Sequence, residues 1–439
     1  MKFKTLTLAL LVSLCTMAQD FDQTKMDSLF SIIKNNDKGM GSISIVEDGQ
    51  EVYQNTIGFL NIEKQIPINK DTKFRIGSIS KTFTATIIMK LVEQDKLSLD
   101  TKLSKFFPQI TNAEKITMEH LLKHRSGIYN FTSASDYASW MEQPITREKL
   151  LKKIAANGNV FEPDEKTEYS NTNFVLLSFI AEDVAGKNFT KILEEFITQP
   201  CKLEHTYFGS KINTKNNEAM SYIKLHEWEL ATETDMSVPM GAGSIVSTPK
   251  DLNIFLDCLF SYKIVSEKSL NKMIQTQSGI GMGLFQVPFY EKKAFSHTGG
   301  IDGFQSNAFY FPDENVSVAY LSNGVVMPMN DILIGVLSIY FGREYELPEF
   351  KEAIELTSKE LDKYLGVYSS PDFPLKLTIT KKDNILMGQG TGQPSFPLEA
   401  FDEHKFKFDQ ASLKIEFFPN ENKLTLKQGG GVFELTKEE

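Results

Sequence analysis

Apolar residues recur at helical spacing over residues 21–38. Phe21, Met26, Leu29, Phe30 and Ile33 share one face, and Gly39 and Gly41 are expected to stop that helix. The period then shortens. Residues 43–46, the pair Asp48-Gly49 and residues 51–57 form a β-hairpin pattern with an Asp-Gly turn. Helical periodicity returns over 78–97 through Ile79, Phe83, Ile87 and Leu91, and further helices are expected at 119–123 and 173–184. Thr248-Pro249-Lys250-Asp251 reads as a helix N-terminus running on to residue 260. The threonine caps, the proline takes the first helical position, and the aspartate reaches back from the third. From 294 to 323 the pattern turns to strands, notably 304–310 and 316–321, and a helix follows at 330–341. Helices are thus bracketed by strands from both chain ends. That order predicts an α/β (α+β) fold, one antiparallel sheet with helices packed on it.

Between 343 and 359 the composition shifts to Glu and Lys with a proline, as in a linker or bridging helix. Beyond it, short strands follow one another closely at 375–380, 385–388, 405–408, 413–418 and 423–428, with Gly429-Gly430-Gly431 as a turn. This is the pattern of a small all-β barrel. At 439 residues the chain is too long for one compact domain. The expected division is a leader at 1–19, a main domain at 20–345, a linker at 346–360 and a barrel domain at 361–439.

The leader is read from Lys2 and Lys4, the apolar stretch 6–14 and the small-x-small run Thr16-Met17-Ala18, together a cleaved signal peptide. The mature chain is therefore expected to be periplasmic or secreted. Leu14 is too bulky to precede a lipid-anchored cysteine, which argues against attachment through Cys15. No other apolar run is long enough to span a bilayer. The net charge is −10, from 47 basic and 57 acidic residues, with no basic block, so no nucleic-acid partner is expected. Three cysteines are too few for a disulfide scaffold or a cysteine zinc site, and whether Cys201 and Cys258 pair stays open. His120 and His124, four apart, could share a helix face, but the glutamate precedes the first histidine, so a zinc motif is not matched. His205, His226 and His404 have no partners at useful spacing. Neither a metal nor an organic cofactor is expected.

Three short motifs could carry chemistry. In Gly77-Ser78-Ile79-Ser80-Lys81, a helix beginning at Ser78 places Lys81 one turn on, on the same face. A lysine whose ammonium is made neutral by burial can deprotonate the serine, and the helix N-terminus offers free N–H groups to an oxyanion. Alone, Ser-x-x-Lys is a weak signal. It is followed by Tyr169-Ser170-Asn171 ahead of an apolar helix, and then by His297-Thr298-Gly299-Gly300 where a strand is expected. The order parallels Ser-x-x-Lys, Ser-Asp-Asn and Lys-Thr-Gly.

With these motifs, residues 21–341 resemble the serine β-lactamase-related family: class C β-lactamases, penicillin-binding proteins, D-alanyl-D-alanine carboxypeptidases, related esterases and D-aminopeptidases. The segments 72–81, 116–127, 241–248 and 303–312 carry the likeness with them. Leu361-Asp362-Lys363-Tyr364-Leu365-Gly366-Val367-Tyr368 opens a segment that resembles the lipocalin-like barrel appended to such hydrolases. The resemblance implies Ser78 as nucleophile, Lys81 as its base and Tyr169 as a second proton shuttle. It implies Asn171 as holder of the acyl amide, the N–H groups of Ser78 and Gly300 as oxyanion hole, and Thr298 and Gly299 beside the leaving group. His297 stands where many relatives have lysine, which weakens the case for a substrate with a free carboxylate. Asp164 stands where a glycine is usual, which puts the substrate rim in doubt. Phe285 and Phe289 are candidates to line the cleft. The activity implied is an acyl-serine hydrolase acting on a small-molecule or peptide substrate of cell-wall type: D-residue peptides, β-lactams or carboxylic esters. The alternative is a catalytically silent binding or scaffolding protein on the same fold, against which the retention of Ser78, Lys81 and Tyr169 argues. The sequence leaves oligomeric state open.

Overall fold

The computed structural model describes residues 21–225, 227–350, 354–411, 413–428 and 431–438. The expected leader with Cys15, His226, and Gly429 and Gly430 of the glycine turn lie outside the described residues.

Helix α1 (Gln23–Asn35) precedes strands β1 (Gly39–Glu47) and β2 (Gln50–Ile57). Helix α2 (Ser80–Glu93), the short α3 (Met118–Leu122), α4 (Asn171–Ala185) and α5 (Pro249–Phe260) follow. Strands β3 (Phe285–Phe289), β4 (Lys292–Ile301), β5 (Phe304–Phe311) and β6 (Val316–Val325) come next, then α6 (Met329–Tyr340). The sheet order is β3-β4-β5-β6-β1-β2, antiparallel throughout, so strands from the two ends of this unit meet at the β6–β1 seam. All ten residues of β6 are buried, because helices cover both faces of the sheet there. On one face α1 and α6 bury Leu29, Phe30, Ile332 and Val336 against Ile43, Ile45, Val318 and Tyr320. On the other, α2, α4 and α5 share a larger core in which Phe83 and Phe255 stack at 3.7 Å.

Two expectations need correction. Helix α1 ends at Asn35, and Asp37 turns the chain at φ 54°. Gly39 and Gly41 open β1 instead of ending the helix. A Cβ on Gly41 would lie 2.4 Å from Leu321 O, so the glycine lets β1 approach β6. Thr248 does cap α5, accepting from Asp251 N. The Asp251 carboxylate does not reach back; it accepts from His205 N and Thr206 Oγ1.

The C-terminal strands close into an eight-stranded antiparallel barrel: Gly366–Ser370, Phe373–Lys382, Ile385–Gly390, Phe396–Asp402, Lys405–Phe408, Leu413–Phe418, Lys423–Gln428 and Gly431–Lys437. Its interior is packed with side chains such as Tyr364, Tyr368, Phe406 and Phe417. His404, unpartnered in the sequence reading, has its Nδ1 2.6 Å from the Tyr364 hydroxyl. Barrel and main body meet through charge. Asp409 accepts from Lys38 Nζ (3.0 Å) and Lys407 Nζ (3.2 Å), and the Phe350 ring lies 5.3 Å from the Lys38 ammonium. Cys201 and Cys258 are both buried free thiols. No described helix is long and apolar enough to cross a membrane.

Candidate active site

Gly77–Ile79 form a 3₁₀ turn that runs into α2. Ser78 therefore sits in the turn ahead of the helix, and Lys81 is the second residue of α2. Gly77 adopts φ 49°, and a Cβ on it would fall 2.8 Å from Gly300 N. A Cβ on Gly299 would fall 2.0 Å from Ile76 O. Glycines on both sides of this contact let β4 press against the turn, which brings the Ser78 and Gly300 backbones together. Strand β3 pairs with β4 only as far as Ser296, so residues 297–301 are hydrogen-bonded to β5 alone. The edge facing Ser78 stays open.

Lys81 is fully buried, and its Nζ lies 2.8 Å from each of Ser78 Oγ, Asn171 Oδ1 and Ala242 O. None of these partners is charged. Burial without a counter-charge holds the ammonium pKa well below its ordinary 10.5. Asn171, first residue of α4, also donates from Nδ2 to Thr132 Oγ1 (3.1 Å), and its backbone N–H donates to Asn130 Oδ1 (3.0 Å). Its Oδ1 is thus taken by Lys81, while Nδ2, with two N–H donors, keeps one beyond its bond to Thr132.

Tyr169 donates from its hydroxyl to Ser78 Oγ at 2.8 Å, and the Lys81 ammonium position is 4.9 Å from its ring centre. The residue keeps 37% of its surface exposed, but desolvation of the phenol outweighs the Ser78 hydrogen bond and pushes its pKa up to about 12. Tyr169 ends the loop 158–170. Within it Asp164 takes φ 70°, the conformation a glycine favours, which aspartate tolerates better than most residues. Arg125 holds that turn, donating to the Asp164 carboxylate at 2.6 Å and to its carbonyl. The unusual aspartate therefore preserves the turn.

His297 is buried, and its Nδ1 lies 2.6 Å from Thr298 O, so Nδ1 carries the proton and donates. Burial, then the nearby Lys81, pushes its pKa down to about 3. Where a weak cation was expected, a neutral imidazole stands. Its ring is 4.8 Å from that of Phe285, whereas Phe289 packs into the core between the sheet and α6, away from any cleft. Thr298 is exposed and, with Gly299, Gly300, Gln305, Asn307 and Met329, lines a groove of about 610 Å³. His120 and His124 do not share a helix face. His120 caps α3 through Thr117, and His124 lies beyond it at φ 56°.

Several residues of this constellation were not assigned from the sequence. The Ala242 carbonyl belongs to the Gly241-Ala242-Gly243 run already noted for its resemblance, but nothing in the run shows which group it faces. Asn130 and Thr132 lie at a short 3₁₀ turn (Phe131–Ser133) that carries no motif.

The profile of the family described as Beta-lactamase matches residues 32–335. A penicillin-binding protein of Bacillus subtilis (strain 168) is 24% identical over 423 residues, covering 89% of this chain and 93% of the relative. The teichoic acid D-alanine hydrolase of Staphylococcus aureus is 27% identical over 291 residues, covering 64% and 70%. Among solved structures, the octameric penicillin-binding protein homologue from Pyrococcus abyssi superposes with a TM-score of 0.67 at 26% identity, covering 94% of this chain and all of that one.

Proposed function

The chain belongs to the beta-lactamase family, and from that premise we propose that it is an exported acyl-serine hydrolase in which Ser78 is the nucleophile, Lys81 its base and Tyr169 the proton donor to the leaving group. The observation that carries this reading is the set of contacts around Lys81 Nζ. A neutral amine has two N–H donors and one lone pair. Asn171 Oδ1 and Ala242 O can only accept, so they take both N–H groups and leave the lone pair for the Ser78 hydroxyl. Tyr169 donates to the same Oγ from the other side.

Attack of Oγ on an ester or amide carbonyl forms the C–O bond as the serine proton passes to Lys81. The oxyanion faces the N–H groups of Ser78 and Gly300. Collapse breaks the bond to the leaving group, which takes the Tyr169 proton, and the Lys81 ammonium restores that proton to the phenol. Water then releases the acyl group by the same steps in reverse. His297 and Thr298 border the leaving-group side, with Gly299 behind them. Because His297 is neutral and Lys81 is spent as base, neither offers a positive charge to a carboxylate on the leaving group. That favours D-alanyl or other D-acyl esters and amides over C-terminal carboxypeptidase substrates, in keeping with the D-alanine named for the Staphylococcus aureus relative. The leader read at residues 1–19 places such substrates, of cell-wall type, within reach.

Intact mass after incubation with a penicillin and with a D-alanyl ester tests the assignment. A covalent adduct or turnover present in the wild type and absent in Ser78→Ala is expected. Equal activity in the two chains refutes it.

A further inference from the structure

The two backbone hydrogen bonds that flank Tyr169 both end on one residue. Glu168 N donates to His124 O (2.9 Å), and Ser170 N donates to His124 Nδ1 (3.1 Å). The His124 ring also lies against the Tyr169 ring, with centres 4.4 Å apart and planes inclined by 28°. We propose that His124 is a positioning residue for Tyr169, a clasp that holds the phenol over Ser78 Oγ; the inference rests on the role given to Tyr169 above.

The loop needs such a clasp. Residues 158–170 have no helix or strand of their own, and three backbone hydrogen bonds fasten them to residues 125–129, Tyr129 N to Gly158 O, Val160 N to Gly127 O and Asp164 N to Arg125 O, while the Arg125 side chain donates to Asp164 and to Thr167 Oγ1 (3.0 Å). The three backbone bonds all lie before residue 165. From there to the start of α4 at Asn171, the backbone hydrogen bonds on either side of Tyr169 depend on His124. Ser170 precedes α4 without capping it through its side chain, so the helix start gives the loop no side-chain cap there.

The choice of histidine points the same way. Its Nδ1 accepts, which puts the ring proton on Nε2, and Nε2 has no partner among the described residues. An orphaned buried donor costs about 1–3 kcal/mol. An apolar ring would avoid that cost but would lose the acceptor for Ser170 N. The ring remains neutral, since burial and then the neighbouring Lys81 hold its pKa well below 6.5, so the Nδ1 lone pair stays available. The backbone at φ 56° lets both the carbonyl and the side chain of one residue face the same loop.

Six chains test this: wild type, His124→Leu, His124→Asn and Tyr169→Phe, and each His124 variant combined with Tyr169→Phe. Folding is followed by circular dichroism, and kcat and KM by ester hydrolysis. His124→Leu is expected to lower kcat about 10²-fold, the scale of an ångström-level misplacement, with KM little changed. Asparagine tolerates left-handed backbone and offers Oδ1 in the place of Nδ1, so His124→Asn is expected to recover most of the loss. On the Tyr169→Phe background neither variant should cost anything further. Losses that multiply in the double variants overturn the proposal, as does a folded His124→Leu chain with wild-type kcat or one changed in KM alone. If His124→Leu does not fold, the His124→Asn cycle decides in the same way. A Tyr169→Phe enzyme at full rate refutes the role of Tyr169 and the clasp with it, a result distinct from multiplying losses.

Discussion

Lys81→Met separates the protonation state of the base from its place in the reaction. In the unfolded chain the lysine titrates near 10.5; in the native chain burial lowers it well below that. Between the two values the unfolded state binds one more proton. Native stability therefore rises with pH, by about 1.4 kcal/mol per unit for this group. The contribution is at its least favourable below the native pKa and is fully relieved above 10.5. Methionine has no proton to lose and no such slope. The wild-type minus variant difference in unfolding free energy should therefore grow in favour of the wild type by about 1.4 kcal/mol per pH unit as the pH rises from the native value toward 10.5. Taking the difference cancels the other titrating groups. Both tryptophans, Trp140 and Trp228, lie in the main body, so urea unfolding followed by tryptophan fluorescence reports on the unit that holds Lys81. A difference that stays constant with pH means an ammonium charged in the folded state, and the base assignment falls. Turnover of the variant should drop about 10²–10⁴-fold, the usual worth of a general base.

Gly77→Ala puts a Cβ 2.8 Å from Gly300 N at φ 49°. Left-handed strain alone costs about 1–2 kcal/mol, and steady-state kinetics should show a fall in kcat as β4 is pushed from the turn. Phe83→Ala removes one ring of the pair stacked at 3.7 Å between α2 and α5 and should cost about 3–5 kcal/mol in urea unfolding. Asp409→Ala removes the nearer of the two carboxylates that the Lys38 and Lys407 ammoniums share at the barrel contact, leaving Glu399 at 3.9 and 3.4 Å. A loss of about 1–3 kcal/mol, read as faster limited trypsin cleavage between the two units, is expected. Because Tyr169 titrates only near 12, kcat should show no alkaline loss from this phenol up to pH 10 in a pH–rate profile.

Much of the fold is legible in one dimension because helix and strand periods are local. The 3.6-residue period of α1 and the alternation around Asp48-Gly49 need no distant partner. The helix stop was misread because Gly39 and Gly41 serve a long-range purpose, the close approach of β1 to β6, and a glycine looks the same in either role. Asp251 is similar: local rules pointed it at its own helix, while His205 and Thr206 in space took its carboxylate.

At the candidate site the sequence supplied the groups proposed to react, since Ser78 and Lys81 lie one helical turn apart and the order of the three motifs is specific. It also determined the family. What only the tertiary structure decided are the environments. The Lys81 pKa is lowered because α2 is surrounded by protein, with Asn171 and Ala242, 90 and 161 residues away, as its uncharged partners. His297 becomes a neutral donor to Thr298 O, and His124 turns out to grip the loop around Tyr169. Residue type is written in the chain, but solvation and hydrogen-bond partners are set by whatever folds against each group, and those set its charge and its use.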